Sequence, residues 1–323
     1  MGEITHRLIK TNGITIHIAE QGSGPAVVLL HGFPELWYSW RHQMPALAEA
    51  GFRAIALDMR GYGESEAPVG IENYTSFHVV GDIIGVLDAL GEKQVFLVGH
   101  DWGATIGWEV CRLRPDRVIA YVAVSVPFRI REPDGSTIQK MTKLLGEGFY
   151  WNIFQEPGRA ERDFASIGTT SALKNIIGGG ANFKLNQVIA PKGKELSAAL
   201  PVVKKLPPWL TEDDIKYYTK HFDKTGFTGP INYFRNMHRN WELTAPWTNT
   251  PIHTKVLFIA GKDDLLLDLP GSMAFVTGPV FREVVPNLQE VIILDGSHFI
   301  HEEQPQRFNH ELISFLTGLK SDV

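Results

Sequence analysis

The chain has 323 residues, 44% hydrophobic and 21% charged, which is the balance of a soluble globular protein long enough for one or two domains. A formal net charge of −5, with no basic block, excludes the usual electrostatic footprint of nucleic-acid or anionic-membrane binding. The single cysteine, Cys111, excludes an internal disulfide and a cysteine zinc cluster, and no apolar run approaches the length of a membrane span. The N-terminal MGEITHRLIK has no apolar signal region and the C-terminal Ser321-Asp322-Val323 is not a peroxisomal tripeptide, so a cytoplasmic location without a membrane anchor is expected.

In chain order, Ile14-Thr15-Ile16-His17-Ile18 alternates and predicts an exposed antiparallel edge strand. Apolar runs at Ala26–Leu30, Arg53–Leu57, Val95–Val98, Val118–Val126, Lys255–Ala260 and Glu290–Leu294 predict buried strands. Amphipathic segments of helical length lie around residues 38–50, 74–90, 103–114 and 305–319. This alternation predicts an α/β fold with a mostly parallel sheet and flanking helices, in which chemistry belongs to the loops after the strands. From about Pro127 to Pro246 the rhythm stops. That stretch carries helical patterns and the aromatics Tyr150, Trp151, Trp209, Tyr217, Tyr218, Tyr233 and Trp241. It predicts a helical lid, residues 127–246, inserted into a core made of residues 1–126 and 247–323.

The run Val95–Val98 continues into Gly99-His100-Asp101-Trp102-Gly103-Ala104 and then a helical pattern. Small-x-Asp-x-small between strand and helix has the form of a nucleophile elbow, with Asp101 on the turn. An N-cap is the plainer role for such an Asp. As a nucleophile, a carboxylate suits an electrophilic saturated carbon: the product is an ester whose carbonyl belongs to the protein, and water can reopen it. A serine at that position would leave an ether, with no carbonyl to attack.

Such a nucleophile needs a base, an acid behind the base, and an oxyanion hole. Asp295-Gly296-Ser297-His298-Phe299 follows the last strand and offers His298, whose ordinary pKa of about 6.5 suits proton abstraction. Gly261-Lys262-Asp263-Asp264 follows the preceding strand and offers two carboxylates to orient it. The amide of Trp102 and one from His31-Gly32-Phe33-Pro34-Glu35, at Phe33, would hold the oxyanion. No Gly-x-Ser-x-Gly is present, Gly61-Tyr62-Gly63 has Glu66 where a dinucleotide loop needs glycine, and the spacing of His298 and His301 matches no metal-ligand set, so neither cofactor nor metal is expected.

With those residues assembled, the chain resembles the soluble epoxide hydrolase family of the α/β-hydrolase superfamily, plant type. The resemblance runs from His31-Gly32-Phe33-Pro34-Glu35 through Asp58-Met59-Arg60-Gly61-Tyr62-Gly63 and the Asp101 elbow to Gly296-Ser297-His298-Phe299. In the lid it includes Phe149-Tyr150-Trp151 and Gly229-Pro230-Ile231-Asn232-Tyr233-Phe234-Arg235. The resemblance implies hydrolysis of a small-molecule epoxide to a vicinal diol through an ester on Asp101. It selects Asp264 as the acid behind His298. It assigns Tyr150 and Tyr233 as donors to the epoxide oxygen, and Trp102, Phe33, Pro34 and Trp151 to substrate binding. A haloalkane dehalogenase shares the Asp-Trp elbow, but commonly has Asn at the position of Phe33. A non-catalytic small-molecule receptor on this fold is the alternative from another class, and the complete triad argues against it. Monomer and homodimer are both compatible with the sequence.

Overall fold

The computed structural model describes residues 2–180 and 183–320. The chain opens with a hairpin, β1 (Thr5–Thr11) and β2 (Ile14–Gly22), paired Thr11 to Ile14 across Asn12-Gly13. Both loop residues have positive φ, 48° and 79°, as a two-residue turn matching strand twist requires. There follow β3 (Ala26–Leu30), β4 (Arg53–Leu57), β5 (Val95–His100), β6 (Val118–Val124), β7 (Lys255–Gly261) and β8 (Leu288–Leu294). The sheet order is β1-β2-β4-β3-β5-β6-β7-β8, with β1 and β2 antiparallel and the other strands mutually parallel.

Helix α1 (Gln43–Glu49) joins β3 to β4, α2 (Ser76–Leu90) joins β4 to β5, and α3 (Trp102–Leu113) joins β5 to β6. Between β6 and β7 lie α4 (Thr137–Leu145), α5 (Tyr150–Gln155), α6 (Arg159–Ile167), α7 (Thr169–Ile177), α8 (Glu212–Thr225), α9 (Thr228–Arg235) and α10 (Met237–Leu243). Helices α11 (Ser272–Thr277), α12 (Pro279–Val284), α13 (Ile300–Glu303) and α14 (Pro305–Gly318) complete the chain. Among the described residues no helix is long and apolar enough to cross a membrane.

The central strands are apolar throughout because both faces are covered. Val28, Leu30 and Leu97 pack with Ile83 of α2 and Ile106 of α3. Their neighbours Val27, Leu29, Phe96 and Val98 pack with Met44 and Leu47 of α1 and Phe308 and Leu312 of α14.

The expected edge strand is an interior one. β1, whose THRLIKT is mostly exposed, covers its outer side, and His17 is buried against Asp58 (Nδ1 to Oδ2, 2.8 Å). A polar residue that alternates with apolar ones looks solvent-facing until its buried partner is known.

The chain leaves β3 toward β4 on one side, then returns to place β5 on the other. The loops after β3 and β5 therefore meet at the reversal, the place where open α/β sheets hold ligands. Gly103 makes that meeting close: a Cβ there would fall well inside contact distance of the Leu30 and His31 carbonyl oxygens. Gly103→Ala is expected to lower unfolding free energy by about 1–3 kcal/mol, measured by urea denaturation. An unchanged midpoint would show that the loops have room to part.

Candidate active site

Asp101 sits between β5 and α3 with φ 50° and ψ −115°, a conformation few residues with a side chain adopt. Thr105 N–H donates to its carbonyl (2.9 Å), so the helix begins directly behind it and the side chain projects beyond the sheet. Gly32 lets the β3 loop approach: a Cβ there would lie 2.7 Å from Asp101 Oδ1. The next amide, Phe33 N–H, donates to that same Oδ1 at 2.8 Å. The Phe33–Pro34 peptide bond is cis.

The other carboxylate oxygen, Oδ2, lies 3.5 Å from His298 Nε2. On the far side of the ring, His298 Nδ1 lies 3.0 Å from Asp264 Oδ1 and 2.9 Å from Ser125 Oγ, and the Ser125 hydroxyl donates to Asp264 Oδ2. Leu266 N–H also donates to Asp264 Oδ1 (2.9 Å). With a carboxylate on the Nδ1 side, Nδ1 carries the proton and Nε2 faces the cavity. Burial works against the Asp264 charge, but His298, Ser125 and the Leu266 amide hold its pKa below the ordinary carboxylate value. Burial likewise works against the imidazolium of His298, and the Asp264 and Asp101 carboxylates outweigh it, raising that pKa well above the ordinary value. Asp263, the other candidate acid, is turned outward toward Lys184.

The cavity over Asp101 is walled by Phe33 and Phe299 from the core, by Leu265 and Leu266 after β7, and by Phe154, Phe164, Ile176 and Phe234 from the inserted helices. Its polar members are Asp101, His298 and Tyr150. Burial, then the Asp101 charge, raise the Tyr150 pKa, so it is a protonated phenol at neutral pH.

The structure thus brings together Asp101, His298, Asp264, Tyr150 and the Phe33 amide. Trp102 opens α3, where first-turn amides have no partner within the helix, and its indole packs behind the wall, edge-on to Phe234 (ring centroids 4.9 Å apart). Pro34 and Trp151 do not line the cavity.

Tyr233 requires a correction. It does not line the cavity: its hydroxyl donates to the Arg60 carbonyl oxygen (3.0 Å) and its ring packs among Tyr62, Tyr74 and Trp102. The residue of α9 that faces the cavity is its neighbour Phe234. Consecutive helical residues point about 100° apart, so only one of the pair can face the same cavity.

Ser125 carries no sequence signal of a site role, since it lies inside the apolar run Val118–Val126 that predicts a strand. Its φ of 75° ends β6 and swings its hydroxyl to the Asp264–His298 pair. Nor does the sequence mark a buried pair beneath the site. His100 Nδ1 meets Glu35 Oε2 (2.7 Å) and its Nε2 meets the His298 carbonyl (2.8 Å). Both ring nitrogens face acceptors, so both donate and the ring is an imidazolium. Burial opposes that charge, while Glu35 raises the His100 pKa. With His301, these residues offer ligand atoms within 4.8 Å of one another, but a doubly protonated His100 has no lone pair for a metal ion.

A sequence profile of the α/β hydrolase fold family matches residues 25–305. Epoxide hydrolase 3 of Siraitia grosvenorii is 48% identical over 320 residues, covering 98% of this chain and 99% of its own. The chain belongs to the epoxide hydrolase family of the α/β-hydrolase fold. Epoxide hydrolase A of Mycobacterium tuberculosis is 38% identical over 328 residues, covering 99% of each chain. A Vigna radiata epoxide hydrolase mutant superposes with a TM-score of 0.94 at 47% identity, over 98% of this chain and 100% of that one. A laboratory-evolved variant of potato epoxide hydrolase gives 0.91 at 40% identity, with coverages of 98% and 100%.

The electrostatics of the pair can be checked directly. Asp101→Asn removes one of the two negative charges that favour the His298 imidazolium, so the His298 pKa followed by NMR should fall by about one unit or more. An unchanged pKa would mean that Asp264 alone sets it.

Proposed function

We propose that the protein hydrolyses epoxides to vicinal diols through an alkyl ester on Asp101. The observation that carries this reading is the placement of one carboxylate, Asp101, between a backbone donor at Phe33 and the Nε2 of His298, in an apolar cavity that also holds a phenol. The names of the relatives agree with it. The inserted helices, residues 127–246, act as the lid that supplies Tyr150 and excludes water.

Because Oδ1 is held by the Phe33 amide, Oδ2 is the attacking oxygen. It bonds to an epoxide carbon as the carbon–oxygen bond of the ring breaks, and Tyr150 gives its proton to the departing oxygen. A positioned acid of this kind is worth about 10²–10⁴ in rate. Esterification cancels the Asp101 charge and with it part of what keeps His298 protonated. The Nε2 proton of His298 then passes through water to the Tyr150 phenolate and restores the phenol, and His298 becomes a base, while Asp264 and Ser125 keep the other proton on Nδ1. It takes a proton from water, which attacks the ester carbonyl carbon. The charge that develops on Oδ1 is met by the amides of Phe33 and Trp102. Collapse breaks the bond between the carbonyl carbon and the ester oxygen, which takes the proton of the added hydroxyl; the diol leaves, the carboxylate is restored and His298 is again the imidazolium. A halide leaving group would call for side-chain N–H donors in the cavity, and among the described residues that line it Tyr150 is the one neutral donor.

Purified protein should form diol from an aryl epoxide, and Asp101→Ala should not. No diol across a panel of epoxides would overturn the reading. The second step needs neutral His298. Ester hydrolysis should therefore rise with pH until that group is deprotonated in the alkyl-enzyme, then level off. Single-turnover kinetics across pH would show this, and His298→Gln should leave the ester trapped as added mass on the protein. Rapid turnover by His298→Gln would remove His298 as the base.

A further inference from the structure

We propose that Phe234 makes this a one-donor site, in which opening of the epoxide depends on Tyr150 alone and on substrates whose carbon–oxygen bond is already weak. The inference rests on the reading of the protein as an epoxide hydrolase. Helices α5 and α9 pack together and turn aromatic rings into the cavity over Asp101: Tyr150 and Phe154 from α5 and Phe234 from α9. The two ring centroids are 5.8 Å apart and meet edge to face. Tyr233, the adjacent phenol, is committed to the Arg60 carbonyl and faces the other way. Among the described residues lining the cavity, Tyr150 is therefore the single phenol.

That arrangement has a chemical consequence. When Asp101 attacks, negative charge builds on the ring oxygen and meets one hydrogen bond rather than two. Less stabilisation of the leaving oxygen favours substrates that help the bond to break, those whose attacked carbon carries an aryl group able to share positive charge. The walls suit such a group: Phe33, Phe154 and Phe234 meet edge to face at centroid distances of 5.0–5.7 Å. The substrate class is an uncharged aryl-substituted epoxide.

The test is a set of three variants with the wild type: Phe234→Tyr, Tyr150→Phe and the double variant. Each is followed by single-turnover formation of the ester from styrene oxide and from 1,2-epoxyhexane. Wild type should open styrene oxide faster. Tyr150→Phe should lose about 10²-fold or more in the opening step, the range of a lost general acid. Phe234→Tyr should raise the rate on the alkyl epoxide by roughly tenfold, more than on styrene oxide, and in the double variant should recover part of the loss. These exchanges alter one hydroxyl, and thermal unfolding of each variant confirms its fold. If Phe234→Tyr changes neither rate and rescues nothing, position 234 does not face the epoxide oxygen and the inference falls while the epoxide reading stands. If wild type forms diol from neither epoxide, the underlying reading fails instead.

Discussion

The site depends on the tight turn at Asp101. A residue with a side chain at φ 50° stores about 1–3 kcal/mol of strain and persists only where its surroundings leave no alternative. Here β5 fixes the turn from the middle of the sheet, α3 starts at once behind it, and Gly99 and Gly103 let strand, helix and the β3 loop close to distances that any side chain would obstruct. The result is a carboxylate held at the carboxyl edge of the sheet, with one oxygen against the Phe33 amide and the other toward His298. Every other member of the site is placed relative to that carboxylate.

Beneath it, the Glu35–His100 pair ties three strand ends together. Glu35 Oε2 accepts from Gly32 N–H (2.7 Å) and from His100, which in turn donates to the His298 carbonyl. The loops after β3 and β8 and the last residue of β5 are thus joined through one fully buried ion pair. Breaking such a pair by removing one partner costs about 3–5 kcal/mol, because the other charge is left unmet. It fixes the backbone that presents the Phe33 amide and the imidazole of His298. The side chains of Asp264 and Ser125 then fix the ring itself. Backbone position and tautomer are controlled by separate groups.

Much of this was legible in the chain. The buried strands declared themselves as apolar runs, and because chemistry in such a sheet belongs to strand ends, Asp101, His298 and the Phe33 loop could be named from position. Asp264 could not be separated from Asp263 by position alone, since adjacent acids differ only in which way the loop after β7 turns. Tyr233 shows the limit more sharply. The pattern located the correct helix, but the choice between two adjacent aromatics depends on its rotation, which is set by packing against Tyr62, Tyr74 and α5. Ser125 and the Glu35–His100 pair were hidden for a related reason. Their partners are distant in sequence, and a buried polar residue is recognisable only beside the group that satisfies it.

The central claim is that the first bond to the substrate is made by Asp101 and not by water. It is tested by one turnover of styrene oxide with excess enzyme in heavy-oxygen water, followed by mass analysis of the diol and of the protein. The account predicts diol that is mostly unlabelled after the first turnover, with heavy oxygen appearing in the Asp101 carboxylate. Fully labelled diol from that first turnover, with no label in the protein, would contradict it.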